Sequence, residues 1–202
     1  MIEAIIFDFG GVLLTDSYVR CRLAGFDAVL GWPEGSLFER LYSGAAWEAV
    51  STGRWSLDEF WNEVGVSVAG RLPADFGSFR DSFHGESMDE AVLRLAWRLR
   101  TRYRIALLSN ATILLPRRLQ KATELAGLFD VTVISALEGM RKPNPDIYRL
   151  TCQRLNLTPE ACVFIDDKTR NTDVALTLGM KAIEHRDATT TAAVLRSLGV
   201  IF

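Results

Sequence analysis

Asp8 closes an apolar run, Ala4-Ile5-Ile6-Phe7, and is followed at once by Phe9-Gly10-Gly11. A carboxylate at the end of a buried strand is costly to desolvate without a partner. The two glycines let the backbone turn and leave room for a ligand to approach. Three further segments carry polar groups of related chemistry: Leu108-Ser109-Asn110, Met140-Arg141-Lys142-Pro143, and Ile165-Asp166-Asp167-Lys168. Together they have the makings of a phosphoryl-transfer site. A carboxylate can attack phosphorus, and paired carboxylates can hold Mg²⁺ to offset repulsion between two anions. Lys142 would neutralise further charge, while Ser109 and nearby N–H groups would hold phosphate oxygens. Taken singly, each part has an ordinary structural reading: a solvated strand-end carboxylate, a Ser-Asn turn, a surface lysine. The adjacent pair Asp166-Asp167 is the least ordinary, because close like charges repel and call for a cation.

These residues converge only if the right elements carry them. Ala4 to Phe7, Ile105 to Leu108, Val131 to Ile134 and Val163 to Ile165 read as strands buried on both faces, with a weaker one over Lys181 to Glu184. Helices are expected between them, over roughly 113–126, 146–155 and 172–178. Gly127 and Gly179 stand where a left-handed residue ends a helix, and Asn144-Pro145 supplies a cap and first helical position. Strands alternating with helices predict a parallel sheet covered on both faces, with strand ends sharing one edge. Residues 16–87 differ. Ser56-Leu57-Asp58-Glu59 reads as a capping box opening an amphipathic helix, and Ser87-Met88-Asp89-Glu90 as a second one. Phe76, Phe79 and Phe83 suggest another helical face. The expectation is a helical insertion, placed like a lid just after Asp8.

Composition narrows the function classes. Hydrophobic residues make up 49% and charged residues 24% of 202, ordinary for a globular protein. A formal net charge of -2 argues against a nucleic-acid partner. The three cysteines have no CxxC spacing, so reduced thiols and a cytoplasmic location are expected. The apolar N-terminus lacks a basic leader, and no run approaches the roughly 18 to 20 apolar residues of a membrane span.

The four segments, standing as IIFDFGGVL, ALLSN, GMRKPNPDIY and VFIDDKTRNTDVALTLGM, resemble the motifs of the haloacid dehalogenase-like hydrolase superfamily, in its helical-cap branch. The resemblance spans essentially the whole chain. It implies an α/β fold: a three-layer αβα Rossmann-like core over 1–15 and 88–202, with a helical cap over 16–87. It implies Asp8 as nucleophile and Mg²⁺ ligand, with Gly10 offering its carbonyl to the metal. Asp166 would be a further metal ligand, with Asp167 in its immediate shell. Lys142 would be catalytic and, with Ser109 and Asn110, phosphate-binding. The substrate implied is a small phosphorylated metabolite, such as a sugar phosphate.

One position departs from the family pattern. Phosphatases of this superfamily usually carry a second aspartate, a general acid and base, where this chain has Gly10. A positioned general acid contributes about 10²–10⁴-fold. Glu48 from the cap could substitute, the leaving group could be a good one, or turnover could be slow. Gly10 also suits 2-haloacid dehalogenation at carbon, which needs no metal and leaves the Asp pair unexplained. A catalytically weak homologue that binds a phosphorylated ligand is a further alternative. A phosphoaccepting receiver domain would place its acidic pair on the first strand, opposite to the order here. Trp47 and Arg20, with Arg22 and Trp55, are the cap residues expected to face the substrate. Oligomeric state is not readable.

Overall fold

The computed structural model describes residues 1–15, 17–68 and 87–202. Its centre is a five-stranded, all-parallel sheet: β1 (Ala4–Phe7), β4 (Arg104–Ser109), β5 (Val131–Ile134), β6 (Cys162–Asp166) and β7 (Lys181–Glu184). The order is β5-β4-β1-β6-β7. The strand carrying Asp8 is therefore the central one, flanked by those that end at Ser109 and Asp166. All four residues of β1 have no exposed surface. This is why such strands read as continuous apolar runs rather than alternating ones.

Alternate residues face opposite layers. Ile5, Phe7, Ile105, Leu107, Val163 and Ile165 join a cluster with Val92, Leu95 and Leu99 of α5 (Glu90–Leu99) and Leu195 of α10 (Ala188–Ser197). Ala4, Ile6, Ala106, Leu108 and Phe164 pack with Ile147, Tyr148 and Leu155 of α8 (Pro145–Leu155) and Ala175 of α9 (Thr169–Thr177). Helix, sheet and helix make three layers, as expected.

The chain leaves the sheet after Phe7 and passes through a short strand, β2 (Leu14–Thr15). It returns through β3 (Ser87–Met88), paired antiparallel with β2. Between them lie α1 (Ser17–Leu30), α2 (Ser36–Tyr42), α3 (Gly44–Ser51) and α4 (Leu57–Ser67). These helices bury a cluster of their own, with Leu23, Leu37, Leu41 and Phe60 fully enclosed. Asp27, also fully buried, accepts from the Gly35 and Leu37 amides at 2.8 and 2.9 Å and so caps α2 from within. The insertion touches the core closely at Gly53, whose φ is +70°. A Cβ there would lie 2.5 Å from the Ala136 carbonyl oxygen in α7 (Ser135–Glu138).

Several local expectations hold and some need correction. The Ser56–Glu59 capping box forms in both directions. The second one does not: Ser87 belongs to β3, and Asp89 caps α5 by accepting from the Ala91 and Val92 amides. Ser-x-x-Glu fits both readings, and pairing with β2 wins. The helix expected over 113–126 is shorter, α6 (Leu115–Lys121), followed by a 3₁₀ turn at Thr123–Leu125. Helix α9 begins three residues earlier than expected, at Thr169. The faces expected from Phe76, Phe79 and Phe83 lie outside the described residues. Among the described residues, no helix is long and apolar enough to cross a membrane.

Candidate functional site

Strand register builds the site. Phe7 lies level with Leu107 on one side and Ile165 on the other, so Asp8 comes level with Leu108 and Asp166. The Asp8 amide donates to the Ile165 carbonyl at 2.8 Å, which holds the first residue beyond the strand in line. Asp8 Oδ1 accepts from the Phe9 amide at 2.6 Å and lies 2.8 Å from Lys142 Nζ. Its Oδ2 has no hydrogen-bond partner among the described residues.

Lys142 is 1% exposed, a lysine held inside the protein. Its ammonium donates to Asp166 Oδ2 at 2.6 Å and the Leu108 carbonyl at 2.9 Å, besides pairing with Asp8. Three protons meet three acceptors, so in this state the group serves as countercharge to both carboxylates. Asn110 fixes the lysine's backbone: its Oδ1 accepts from the Lys142 amide and its Nδ2 donates to the Lys142 carbonyl, both at 2.8 Å. The Asn110 side chain is thus a clamp on the Lys142 loop, a use not expected from sequence. Ser109 Oγ lines the cavity and has no hydrogen bond among the described residues.

The two acidic residues of the pair differ. Asp166 is fully buried; Oδ1 accepts from the Lys168 amide and Asn171 Nδ2, and Oδ2 from Lys142. Burial alone would raise its carboxyl, but Lys142 and these hydrogen bonds outweigh burial and hold it below the usual range. Asp167 Oδ1 is buried with no hydrogen-bond partner, and burial pushes its carboxyl up. Asp8 is raised to about 7, first by burial and then by the charges of Asp166 and Asp167, with Lys142 opposing. Lys142 is raised because Asp166 and Asp8 outweigh its own burial.

Asp8, Asp166 and Asp167 each bring a carboxylate oxygen within 4.8 Å of the others. An orphaned Asp167 oxygen in an all-oxygen set fits a hard divalent cation, Mg²⁺ above all. Asn171 leaves a second buried oxygen, Oδ1, without a partner beside them. Sequence reading missed Asn171; its place in the first turn after the acidic pair was the available signal. The Asn171 carbonyl in turn accepts from the buried Tyr148 hydroxyl at 3.0 Å. Gly11 has φ +78°, and a Cβ there would come 2.7 Å from the Asp167 carboxyl, so only glycine fits. Gly10 is unlike it: a Cβ there meets nothing within 4 Å.

A cavity of about 140 Å³ opens onto these groups. Gly10, Asn110 and Asp167 line its floor, while Arg20, Phe38, Tyr42 and Trp47 line it from the insertion. Trp47 and Arg20 are thus brought to the site, but Arg22 and Trp55 are not among its lining. Arg20 stacks over Phe38, with Cζ 3.6 Å from the ring centre. Phe38 and Tyr42 went unnoticed in the sequence, where nothing separates a lining aromatic from a packing one. Glu48 does not line this cavity: its carboxylate binds Arg54 at 2.8 Å and faces a neighbouring cleft. Among the described residues, Asp8 and Asp167 are the only carboxylates on the cavity wall.

The family model for haloacid dehalogenase-like hydrolases matches residues 2–176. The chain belongs to that family. It is 26% identical over 205 residues to sesquiterpene phosphatase astK of Aspergillus oryzae, covering 97% of this chain and 96% of that one. It is 23% identical over 199 residues to D-ribitol-5-phosphate phosphatase of Bacteroides thetaiotaomicron, covering 91% and 92%. Acyl-CoA dehydrogenase family member 10 of Mus musculus is a much longer relative, 27% identical over 191 residues; the match covers 90% of this chain and 18% of that length. A solved haloacid dehalogenase family enzyme from Bacteroides thetaiotaomicron, complexed with magnesium and inorganic phosphate, superposes with a TM-score of 0.72 at 22% identity, covering 92% of this chain and 95% of that one. At that identity the likeness establishes the fold of this hydrolase.

Proposed function

We propose that this hydrolase is a Mg²⁺-dependent phosphatase that cleaves a small phosphorylated metabolite through an aspartyl-phosphate on Asp8. The observation that carries the reading is the asymmetric charge cluster: Lys142 neutralises Asp8 and Asp166, while Asp167 Oδ1 is left without a partner among them. Displacement of halide at carbon would need no cation and would leave that oxygen unexplained.

Asp8, Asp167 and the Gly10 carbonyl would hold the metal; Asp166, expected from sequence as the ligand with Asp167 in its shell, would stand behind them, because its oxygens are taken by Lys142, Lys168 and Asn171. When bound, the ion would draw charge from the phosphoryl oxygens. The chain's own groups do the rest. The Phe9 amide and Lys142 fix the plane of the Asp8 carboxylate, so Oδ2 faces the cavity for attack on phosphorus. The Ser109 hydroxyl would donate to a phosphoryl oxygen, and Asn110 would keep Lys142 where it can offset charge. Water then cleaves the acyl phosphate and regenerates Asp8. No side chain at Gly10 protonates the leaving group, so good leaving groups are favoured.

The insertion is proposed to act as a cap that closes over the substrate and excludes water. Its contributions, Phe38, Tyr42 and Trp47, supply an aromatic wall for the organic part of the substrate. A sugar phosphate remains one candidate; the names of the two full-length relatives point to a polyol phosphate and a sesquiterpene phosphate. A cytoplasmic setting belongs to the same proposal. The test is hydrolysis of p-nitrophenyl phosphate, followed by a panel of phosphorylated metabolites. Turnover is expected with Mg²⁺, to vanish in EDTA, and to fall by about 10³-fold or more in Asp8→Asn. Chloride release from a 2-chloro acid in EDTA, without phosphate release, would replace this reading with dehalogenation.

A further inference from the structure

A second cleft, of about 640 Å³, adjoins the site described above and shares Arg141 and Lys142 with it. Its walls come from both parts of the molecule. The insertion supplies Ser43, Gly44, Glu48 and Arg54; the core supplies Arg141 and Arg170. Three guanidiniums therefore face one carboxylate. Glu48 is engaged by Arg54 at 2.8 Å. Arg141 and Arg170 make no ion pair and no side-chain hydrogen bond among the described residues.

The arrangement is electrostatically unfinished. Arg141 is half-buried, and burial followed by the charge of Arg170 holds its guanidinium below the usual range, with Arg54 adding and Glu48 opposing. Such crowding is unfavourable until an anion joins it. The N-terminus of α3 opens on the same cleft: Ser43 occupies the cap position, yet its side chain makes no cap hydrogen bond. Backbone N–H groups at a helix start and planar guanidinium donors suit the same ligand, a tetrahedral or planar oxyanion.

We propose that this cleft is a second oxyanion site, which takes a phosphoryl group between Arg141, Arg170 and the start of α3. Because the ligand would touch both insertion and core, its binding would hold the two together. The inference stands on the arginine cleft and does not depend on the phosphatase reading.

The experiment is titration of the whole protein with inorganic phosphate in EDTA, followed by calorimetry. Arg141 lines both cavities, so Ser109, on the wall of the first only, and Arg170, on the wall of the second only, tell the two sites apart. One saturable site is expected. It should weaken by about tenfold or more in Arg170→Gln, an exposed position, given the strength of charge-assisted bonds. The double change Arg141→Gln with Arg170→Gln should abolish it, while Ser109→Ala leaves it unchanged. A parallel titration with phenyl phosphate separates sources: tighter binding than phosphate assigns the site to an organic phosphate, weaker binding to the free ion. Absence of saturable binding, or binding that survives Arg170→Gln and falls in Ser109→Ala, would overturn the proposal.

Discussion

The edge of the sheet and the inserted helices solve opposite problems with the same kinds of residue. At the edge, buried charges are tied to one another: Lys142 meets three acceptors, and Asp166 accepts from three donors. In the insertion, the one fully buried carboxylate among the described residues, Asp27, meets only backbone amides and ends as a helix cap. The aromatics there pack on each other, Trp47 against Tyr42 and Phe60 with ring centres 5.4 and 6.1 Å apart. Burial of a carboxylate therefore does not by itself mark a site. What marks one is a cluster of charges whose mutual pairing leaves an oxygen over, as Asp167 is left.

Lys142→Ala should produce the largest effect of the substitutions that break this contrast. It leaves Asp8 and Asp166 buried and unpaired, and removing one partner of a buried ion pair costs about 3–5 kcal/mol. Turnover should disappear together with a clear fall in the urea midpoint. Asp8→Asn also abolishes turnover but removes a buried charge, so its midpoint should hold or rise at pH 8. Equal loss of stability in both variants would mean that the cluster is not organised around the lysine.

Gly10→Asp comes next. The backbone there is unstrained and a Cβ meets nothing within 4 Å, so the side chain should be accommodated. If the wall lacks only a proton donor, activity on an alkyl phosphate should rise by about tenfold or more, short of the full value of a general acid. Activity on p-nitrophenyl phosphate, whose leaving group needs no proton, should change little. A complete loss on both substrates, with the fold intact by circular dichroism, would show that this position serves another mechanism.

A smaller effect concerns pH. The Asp8 carboxyl is raised to about 7, above its unfolded value. Its contribution to metal-free stability is thus full at acid pH and is lost as pH rises through about 7. Asp166, held low, contributes in the opposite sense and loses its share only as pH falls into the acid range. A cation binds the ionised carboxylate, so it competes with the proton on Asp8. The rise in Tm on adding Mg²⁺ should be larger at pH 8 than at pH 6, and this difference should shrink in Asp8→Asn. A Mg²⁺ effect independent of pH would place the ion away from Asp8.

The two regions were also unequally legible. Central parallel strands are buried on both faces, so β1, β4 and β6 stand out as apolar runs, and the polar residue ending each falls on one edge. That logic reached Asp8, Ser109 and Asp166. It could not reach the Asn110 clamp or the saturation of Lys142, because both depend on how the loop after α7 folds back. Nor could it separate Phe38 from Phe60: both are aromatics on helices, and only the docking of the insertion leaves Phe38 on the cavity wall. Ser87-Met88 misled for a related reason, since pairing with Leu14 and Thr15 across a long insertion is invisible locally.

Phe38→Ala tests that last distinction and should have the mildest effect. Phe38 is partly buried, stacks under Arg20, and lies 4.7 Å from the Tyr42 ring, so truncation removes wall rather than core. Stability should fall modestly, by less than the roughly 3–5 kcal/mol typical of a fully buried phenylalanine. Phe60→Ala, inside the cluster, should pay that larger cost. If Phe38 contacts the organic part of the substrate, KM for the best metabolite should rise several-fold while kcat for p-nitrophenyl phosphate holds. A rise shared equally by both substrates would assign Phe38 to cap closure instead, because closure is common to all substrates whereas contact with the organic part is not.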